Sequence, residues 1–212
     1  MVMVKTWLKL AYSLVLFGAL SAAVLSGLLR GLDYYVYEQL RFDNVVVVGI
    51  TSTASVVFLG VVWVVMAVVD LVRSRGLREH TYDVAVLLVL SVLFDAAFKL
   101  VFRVPRPGLS GPLQPVSALM SLEYYSYPSG HATRAVALAL YAGRRSSSAW
   151  SLAIYTWALA VCLSRILLGV HWTSDVLGGF AAGLITFYAS ELLKGPFKRV
   201  LEALRLGFIL KQ

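Results

Sequence analysis

Long stretches of apolar residues, separated by short polar connections, constrain the fold of this chain more than any other feature. The chain has 212 residues, of which 59% are hydrophobic and only 14% charged, so it is too apolar for the surface of a water-soluble domain of this size. A helix needs about 20 apolar residues to cross the hydrocarbon core of a membrane. The sequence therefore predicts an integral membrane protein built as a single domain, 1–212.

Six stretches are predicted as helical spans. They are residues 7–29, 45–69, 83–102, 130–143, 149–168 and 176–193. The fourth stretch is short and carries Arg134, so its length also allows a re-entrant or interfacial helix. Counted from Ser129 it is about 22 Å long, which suffices for a thin or tilted crossing. The expected fold class is all-α, a six-helix transmembrane bundle.

The two ends of the chain each allow more than one interpretation. Lys5 and Lys9 precede the first apolar run as they would in a signal peptide. We expect an uncleaved anchor instead, because the run is longer than a usual signal core and its loss would leave an odd number of spans. Residues 194–212 mix basic and apolar residues at roughly helical spacing, which predicts an amphipathic cytoplasmic tail, although a solvated tail fits nearly as well.

The Lys and Arg residues indicate the orientation of the chain. A formal net charge of +8 could indicate a nucleic-acid partner, but the basic residues form short clusters between apolar runs. We therefore expect no binding to nucleic acid. If six helices alternate, 12 of the 19 Lys and Arg residues fall on one side. Cytoplasmic loops are enriched in these residues, so both termini are predicted to be cytoplasmic.

Polar residues at membrane depth are costly and often functional, and in this chain they gather in three segments. The segments are Lys99 to Pro107, Tyr127 to His131 and Ser164 to Asp175. Under the predicted topology all three lie on the outer face. The sequence therefore predicts one site formed from all three segments, on the extracytoplasmic side of the membrane.

The residue types in these segments predict an anion site. Lys99, Arg106 and Arg165 supply positive charge, and the Arg side chains can grip phosphate oxygens in bidentate fashion. Ser129 and Gly130 stand where a helix begins, so free backbone N–H groups add to the site. The Ser129 hydroxyl either donates to the phosphate or caps the helix.

Two histidines at an anion site suggest a nucleophile and a general acid. Asp175 follows His171 by four residues and can accept a hydrogen bond from one ring nitrogen, leaving the other unprotonated. This predicts His171 as the nucleophile and His131 as the acid. Arg134, one turn after Gly130, is a candidate for contact with a second phosphate or a headgroup.

The three segments read Lys-x6-Arg-Pro, Pro-Ser-Gly-His and Ser-Arg-x5-His-x3-Asp, and together they resemble the signature of the type-2 phosphatidic acid phosphatase (PAP2) superfamily. The resemblance implies a six-helix bundle of the PAP2 type and a phosphohistidine mechanism without a metal or other cofactor. It also implies that His131 acts first as acid and then as base, and that Asp175 orients His171. The phosphate-binding residues that it implies are Lys99, Arg106, Ser129, Gly130 and Arg165. The site has few carboxylates, which is consistent with a reaction that needs no metal, because hard divalent ions are bound by several oxygen ligands.

The substrate is predicted from one stretch of sequence. Residues 125–134 read Tyr-Ser-Tyr-Pro-Ser-Gly-His-Ala-Thr-Arg and are similar to the family branch that acts on polyisoprenyl diphosphates. Phosphatidate or phosphatidylglycerol phosphate is the alternative, as is phosphotransfer to an acceptor other than water. Vanadium-dependent haloperoxidases share the motif but are soluble proteins, so the six apolar spans weigh against them. The non-enzymatic alternative is a small channel, transporter or scaffold, which explains charges at membrane depth but not why two His, an Asp and three cations share one face. The oligomeric state is not predicted.

One further pattern concerns packing. Gly179 and Gly183 are four residues apart in the last predicted span, a spacing typical of helices that approach closely. We expect packing within the bundle, with a dimer seam as the alternative.

Overall fold

The computed structural model describes residues 2–108 and 124–203, and within these ranges the chain forms eight helices. The helices, numbered in chain order, are α1 (Val2–Leu25), α2 (Arg30–Gln39), α3 (Val45–Ser52), α4 (Val56–Ser74), α5 (Glu79–Phe102), α6 (Gly130–Gly143), α7 (Ser148–Leu167) and α8 (Thr173–Ala203). The prediction of an all-α fold is confirmed.

Five of these helices, α1, α4, α5, α7 and α8, are long and apolar enough to cross a membrane. Their outer faces carry exposed Val and Leu side chains such as Val57, Leu93 and Leu152, which suit contact with lipid. Helix α6 begins and ends where the sequence predicts, but its 14 residues make it only about 21 Å long. Most of its side chains are buried among its neighbours. Within the described residues the bundle thus has five helices long enough to cross a membrane and one short helix enclosed among them, and the count of six transmembrane helices stays a prediction.

The second predicted span, 45–69, is broken in the structure, and its prediction as one helix is wrong. Helix α3 ends at Ser52 and α4 begins at Val56. The Thr53 hydroxyl donates to the Ile50 carbonyl at 2.6 Å, and Ser55 caps α4 by accepting from the Phe58 amide at 3.1 Å. Hydroxyl side chains that bond to nearby backbone compete with helix hydrogen bonds, and the run Thr-Ser-Thr-Ala-Ser concentrates them.

The chain also departs from the prediction near both ends. Helix α1 ends before Gly27, whose φ of +77° is in the left-handed region, and the chain then enters α2, which was not predicted. At the other end α8 continues to Ala203, so residues 194–203 extend the last span rather than forming a separate tail helix. The remainder of the predicted tail, 204–212, and the loop residues 109–123 lie outside the described residues.

Helices α5 and α6 run antiparallel, and the contacts between them define two ends of the bundle. Asp95 of α5 pairs with Arg134 near the start of α6, whereas Asp83 of α5 accepts a hydrogen bond from Tyr141 near its end. At the second end Glu191 of α8 also pairs with basic residues of this face. Three predicted cytoplasmic cations lie there, namely Arg78, Arg145 and Lys194.

Helix α8 packs closely on α6 through its two glycines. A Cβ at Gly179 would lie 2.6 Å from the Ser129 carbonyl oxygen, and a Cβ at Gly183 would lie 2.7 Å from the Val136 Cβ. No larger residue fits at either position without displacing α6. The predicted role of these glycines in packing within the bundle is confirmed.

Candidate active site

The three polar segments meet at the first end of the bundle, where α5 and α7 end and α6 and α8 begin. Backbone hydrogen bonds join them: the Ser129 amide donates to the Asp175 carbonyl at 3.0 Å, and the Ser126 amide donates to the Val104 carbonyl at 2.8 Å. Arg106 donates to the Val170 carbonyl at 3.0 Å. The segment after α5 and the segment before α8 are therefore fixed to one another.

His171 and Asp175 form the buried centre of this cluster. The His171 Nδ1 atom lies 3.2 Å from Asp175 Oδ2, and both side chains are almost completely buried. Asp175 also accepts hydrogen bonds from the Trp172 amide at 2.8 Å and the Ser126 hydroxyl at 3.1 Å. Because donors hold both carboxylate oxygens, the carboxylate has a fixed orientation and so fixes the imidazole.

The other ring nitrogen of His171 faces a cation. Arg106 Nη1 lies 3.3 Å from Nε2. Since a guanidinium can only donate, Nε2 accepts this hydrogen bond, and Nδ1 carries the ring proton and donates a hydrogen bond to Asp175. Burial, followed by the positive charges of Arg106 and Arg165, holds the pKa of His171 well below its usual value. The imidazole is therefore unprotonated near neutral pH, with a lone pair directed toward the cations.

The other predicted phosphate-binding cations lie near the same ring. Lys99, in the last turn of α5, adds to the positive field that lowers the pKa of His171. Arg165 is buried in α7 and donates from Nη1 to the Thr51 hydroxyl of α3 at 2.8 Å. Sequence reasoning missed Thr51, because it is 114 residues from Arg165 and no local pattern links them.

The start of α6 supplies the remaining predicted residues. Ser129 is fully buried at the position before the helix, makes no capping hydrogen bond, and its hydroxyl has no partner among the described residues. The first backbone N–H groups of a helix lack intrahelical partners, so those of α6 are available to an anion. His131, in this first turn, is half-buried and lies near His171.

Arg134 lies one turn further into α6 and is bound within the protein. Its Nη1 atom pairs with Asp95 Oδ2 at 3.2 Å, and its Nε donates to the Ala54 carbonyl at 3.0 Å. The Arg134 and Asp95 side chains are each about 8% exposed. A Cβ at Gly130 would lie 2.5 Å from Asp95 Oδ2, so the glycine is also required by this ion pair. Contact of Arg134 with a second phosphate stays a prediction.

Metal-ligating side chains do not cluster here. Within 2–108 and 124–203, no three His, Cys, Asp or Glu residues come together in a group that would hold a metal ion. The chemistry that the described residues offer is an unprotonated imidazole, a second histidine and an array of cations.

A family model described as the PAP2 superfamily matches residues 81–196, more than half of the chain. The chain belongs to the PAP2 superfamily. The match includes the last four predicted spans and all three polar segments, and it confirms the resemblance noted in the sequence.

Relatives of this PAP2 protein are named for different lipids. Undecaprenyl-diphosphatase of Sulfolobus acidocaldarius is 39% identical over 87 residues, which are 38% of this chain and 40% of the relative. A probable lipid phosphate phosphatase beta of Arabidopsis thaliana is 31% identical over 139 residues, 53% of this chain and 64% of the relative. Phosphatidylglycerophosphatase B of Bacillus subtilis is 53% identical over 38 residues, 18% of this chain and 17% of the relative. Each match covers less than two thirds of the relative's length.

The fold of this PAP2 protein matches that of a solved relative. The crystal structure of a transmembrane PAP2-type phosphatidylglycerolphosphate phosphatase from Bacillus subtilis superposes with a TM-score of 0.69 at 23% identity. The match covers 90% of this chain and 98% of the other. Together with the five long apolar helices, it makes the chain a multi-pass integral membrane protein.

Proposed function

We propose that this PAP2 protein hydrolyses a lipid phosphate or diphosphate through a phosphohistidine formed on His171. The observation that carries the proposal is the arrangement of the buried imidazole. Asp175 holds Nδ1 at 3.2 Å, while Nε2 is directed at Arg106 in the field of two further cations. Such an arrangement suits a nucleophile that attacks an anionic phosphorus centre.

The residues divide the reaction into two steps. In the first, the Nε2 lone pair forms the bond to phosphorus while the bond from phosphorus to the leaving oxygen breaks, and His131 gives that oxygen a proton. In the second, His131 takes a proton from water, whose oxygen displaces Nε2 and releases phosphate. Lys99, Arg106 and Arg165 offset the charge of the phosphoryl oxygens, with the start of α6 and the Ser129 hydroxyl as further donors.

A groove beside the site supports a lipid substrate. It has a volume of about 430 Å³ and is lined by apolar side chains of α6, α7 and α8, among them Leu159, Ile166 and Val176. Ile166 and Val176 directly follow Arg165 and Asp175, so the groove begins next to the phosphate site. Along α7 it extends from Ile166 to Tyr155, about 16 Å at the helical rise, and it would seat part of a hydrocarbon tail.

The leading substrate is a polyisoprenyl diphosphate, with phosphatidate or phosphatidylglycerol phosphate as the alternative. The run 125–134 supports the first, as does a relative named for undecaprenyl diphosphate. A relative named phosphatidylglycerophosphatase supports the second. We place the site on the outer membrane face, because the predicted cytoplasmic cations lie at the other end of the bundle.

The test is phosphate release by purified protein in detergent from a panel of these three lipid classes. Wild type should release phosphate from at least one lipid, His171→Ala should not, and a chelator should leave the rate unchanged. The peptide that contains His171 should carry a phosphoryl group after rapid quenching in alkali. Release by His171→Ala at the wild-type rate would refute the mechanism, and a phosphorylated acceptor in place of free phosphate would identify a phosphotransferase.

A further inference from the structure

Helix α2 lies across the segment that joins α7 to α8, which contains His171. We call residues 30–42, comprising α2 and the three residues after it, the α2 brace. This region is too short and too polar to cross the membrane, and sequence reasoning gave it no role. It contacts the catalytic segment at four successive positions.

The strongest contact joins Asp33 to Ser174. The Ser174 amide donates to Asp33 Oδ1 at 2.8 Å, and the Ser174 hydroxyl donates to Asp33 Oδ2 at 2.6 Å. Both residues are buried, at 8% and 2% exposure. Ser174 is in the first turn of α8, whose leading amides lack helical partners, so Asp33 satisfies one of them and places negative charge at the positive end of the helix.

The rest of the brace follows the catalytic segment back toward α7. The rings of Tyr34 and Tyr37 lie 5.0 and 5.5 Å from that of Trp172. A Cβ at Gly169 would come within 3.2 Å of the Tyr37 ring, and the Phe42 amide donates to the Leu167 carbonyl at 2.7 Å. The brace thus touches positions 174, 172, 169 and 167 in order.

The geometry of the catalytic pair depends on this segment. His171 precedes α8 and Asp175 lies in its first turn, so their contact requires that the loop and the helix start keep a fixed relation. Asp175 is adjacent to Ser174, and Trp172, which the tyrosines contact, donates its own amide to Asp175. A shift of the first turn of α8 would therefore move the carboxylate away from Nδ1.

We infer that Asp33 is a positioning residue for the reaction: by holding Ser174 it keeps Asp175 in place to orient His171. The inference rests on the proposed function. Asp33 takes no direct part in the reaction. It affects the rate by keeping the Asp175 carboxylate in position.

The experiment compares Asp33→Asn with Glu38→Gln, an exposed acid on the same helix, in detergent-solubilised full-length protein. Asp33→Asn should lower kcat roughly 10- to 100-fold, the size of a buried hydrogen bond to a charged group, with KM changed less than about twofold. Glu38→Gln should match wild type. Ser174→Ala, which removes one of the two bonds, should lower kcat about fivefold and serves if Asp33→Asn does not fold.

The double variant with Asp175→Asn separates positioning from general destabilisation. If Asp33 acts through Asp175, then Asp33→Asn should have little further effect on kcat in the Asp175→Asn background. An equal loss in both backgrounds, or a kcat for Asp33→Asn equal to that of Glu38→Gln, would overturn the inference.

Amide hydrogen exchange over residues 168–176 gives a readout that does not require turnover. Asp33→Asn should speed exchange there relative to Glu38→Gln, and unchanged exchange would overturn the inference. An inactive wild type would instead count against the proposed function, while the exchange result would still decide the role of Asp33.

Discussion

At the residue scale, neighbours of opposite charge fix the orientation and the protonation of the His171 ring, one at each of its two nitrogens. Asp175 accepts a hydrogen bond from Nδ1, and Arg106 faces the lone pair at Nε2, with Arg165 and Lys99 adding positive charge nearby. The cations that would bind a phosphate also disfavour protonation of the ring, so one set of residues serves both binding and activation of the nucleophile.

This coupling predicts a pH effect. Arg106 lowers the pKa of His171, so Arg106→Gln should raise that pKa and move the acidic limb of kcat/KM to higher pH, because the ring must lose its proton before it attacks. The measurement is the pH profile of kcat/KM for a short-chain lipid phosphate. Arg103→Gln, a change at an exposed arginine in the same segment, is the control and should keep the wild-type limb. An identical limb in both variants would contradict the assignment of His171 as nucleophile.

Arg134 provides a second prediction at this scale. If it contacts a second phosphate, Arg134→Ala should lower kcat/KM for a diphosphate more than for a monophosphate of the same lipid. The variant also breaks the ion pair with Asp95, so Asp95→Ala is the matched control. Similar losses for both substrates, or the same selective loss in Asp95→Ala, would assign Arg134 a structural role.

At the element scale, the bundle is organised around the short helix α6. Small side chains along α6 and two glycines on α8 bring the backbones together, and this contact places the start of α6 against Asp175. The site is thus assembled by close packing of helices as well as by its polar residues.

The packing predicts a loss of stability for Gly183→Ala. Its new Cβ would meet the Val136 Cβ at 2.7 Å and the Thr133 carbonyl at 2.8 Å, so the variant should lose about 1–3 kcal/mol through overpacking. Thermal unfolding in detergent measures this loss of stability. Gly18→Ala in α1 is the control, since no atom lies within 4 Å of its new Cβ. Equal melting temperatures for the two variants would show that α8 shifts freely against α6.

At the scale of the whole molecule, the proposed phosphate site lies at one end of the bundle and an apolar groove leads away from it. An amphiphilic substrate would match this arrangement, with its charged head among the cations and its tail along α7 and α8. The arrangement also requires that the site face one side of the membrane only.

The groove predicts an effect that depends on chain length. Leu159→Trp should raise KM several-fold for a long-chain lipid phosphate and leave KM for a short-chain one unchanged, because the indole occupies the space for the tail. Leu93→Trp is the control, since Leu93 lines a second apolar groove, between α4 and α5, and is 60% exposed against 59% for Leu159. An effect of Leu93→Trp alone would place the tail between α4 and α5 instead.

The orientation predicts a labelling pattern. In a Cys162→Ala background, which lacks the native cysteine, Tyr35→Cys at the site end should react with a membrane-impermeant maleimide in intact cells. Ser147→Cys, exposed between α6 and α7 at the other end, should react only after permeabilisation. The reverse pattern would place the site on the cytoplasmic face.

The sequence by itself determined the features that local patterns encode. Apolar runs gave the long helices and the bounds of α6, and three motifs named the residues that meet at the site. It did not predict the break between α3 and α4, because the hydroxyl residues there act against a strongly apolar background. It did not predict α2 either, because this helix has only ten residues and is too polar to be recognised as a span. Only the tertiary structure decided which side chains support the motif residues. Thr51 holds Arg165 across 114 positions and Asp33 holds Ser174 across 141, and such pairs form because packing brings distant helices into contact, for which the chain carries no local signal.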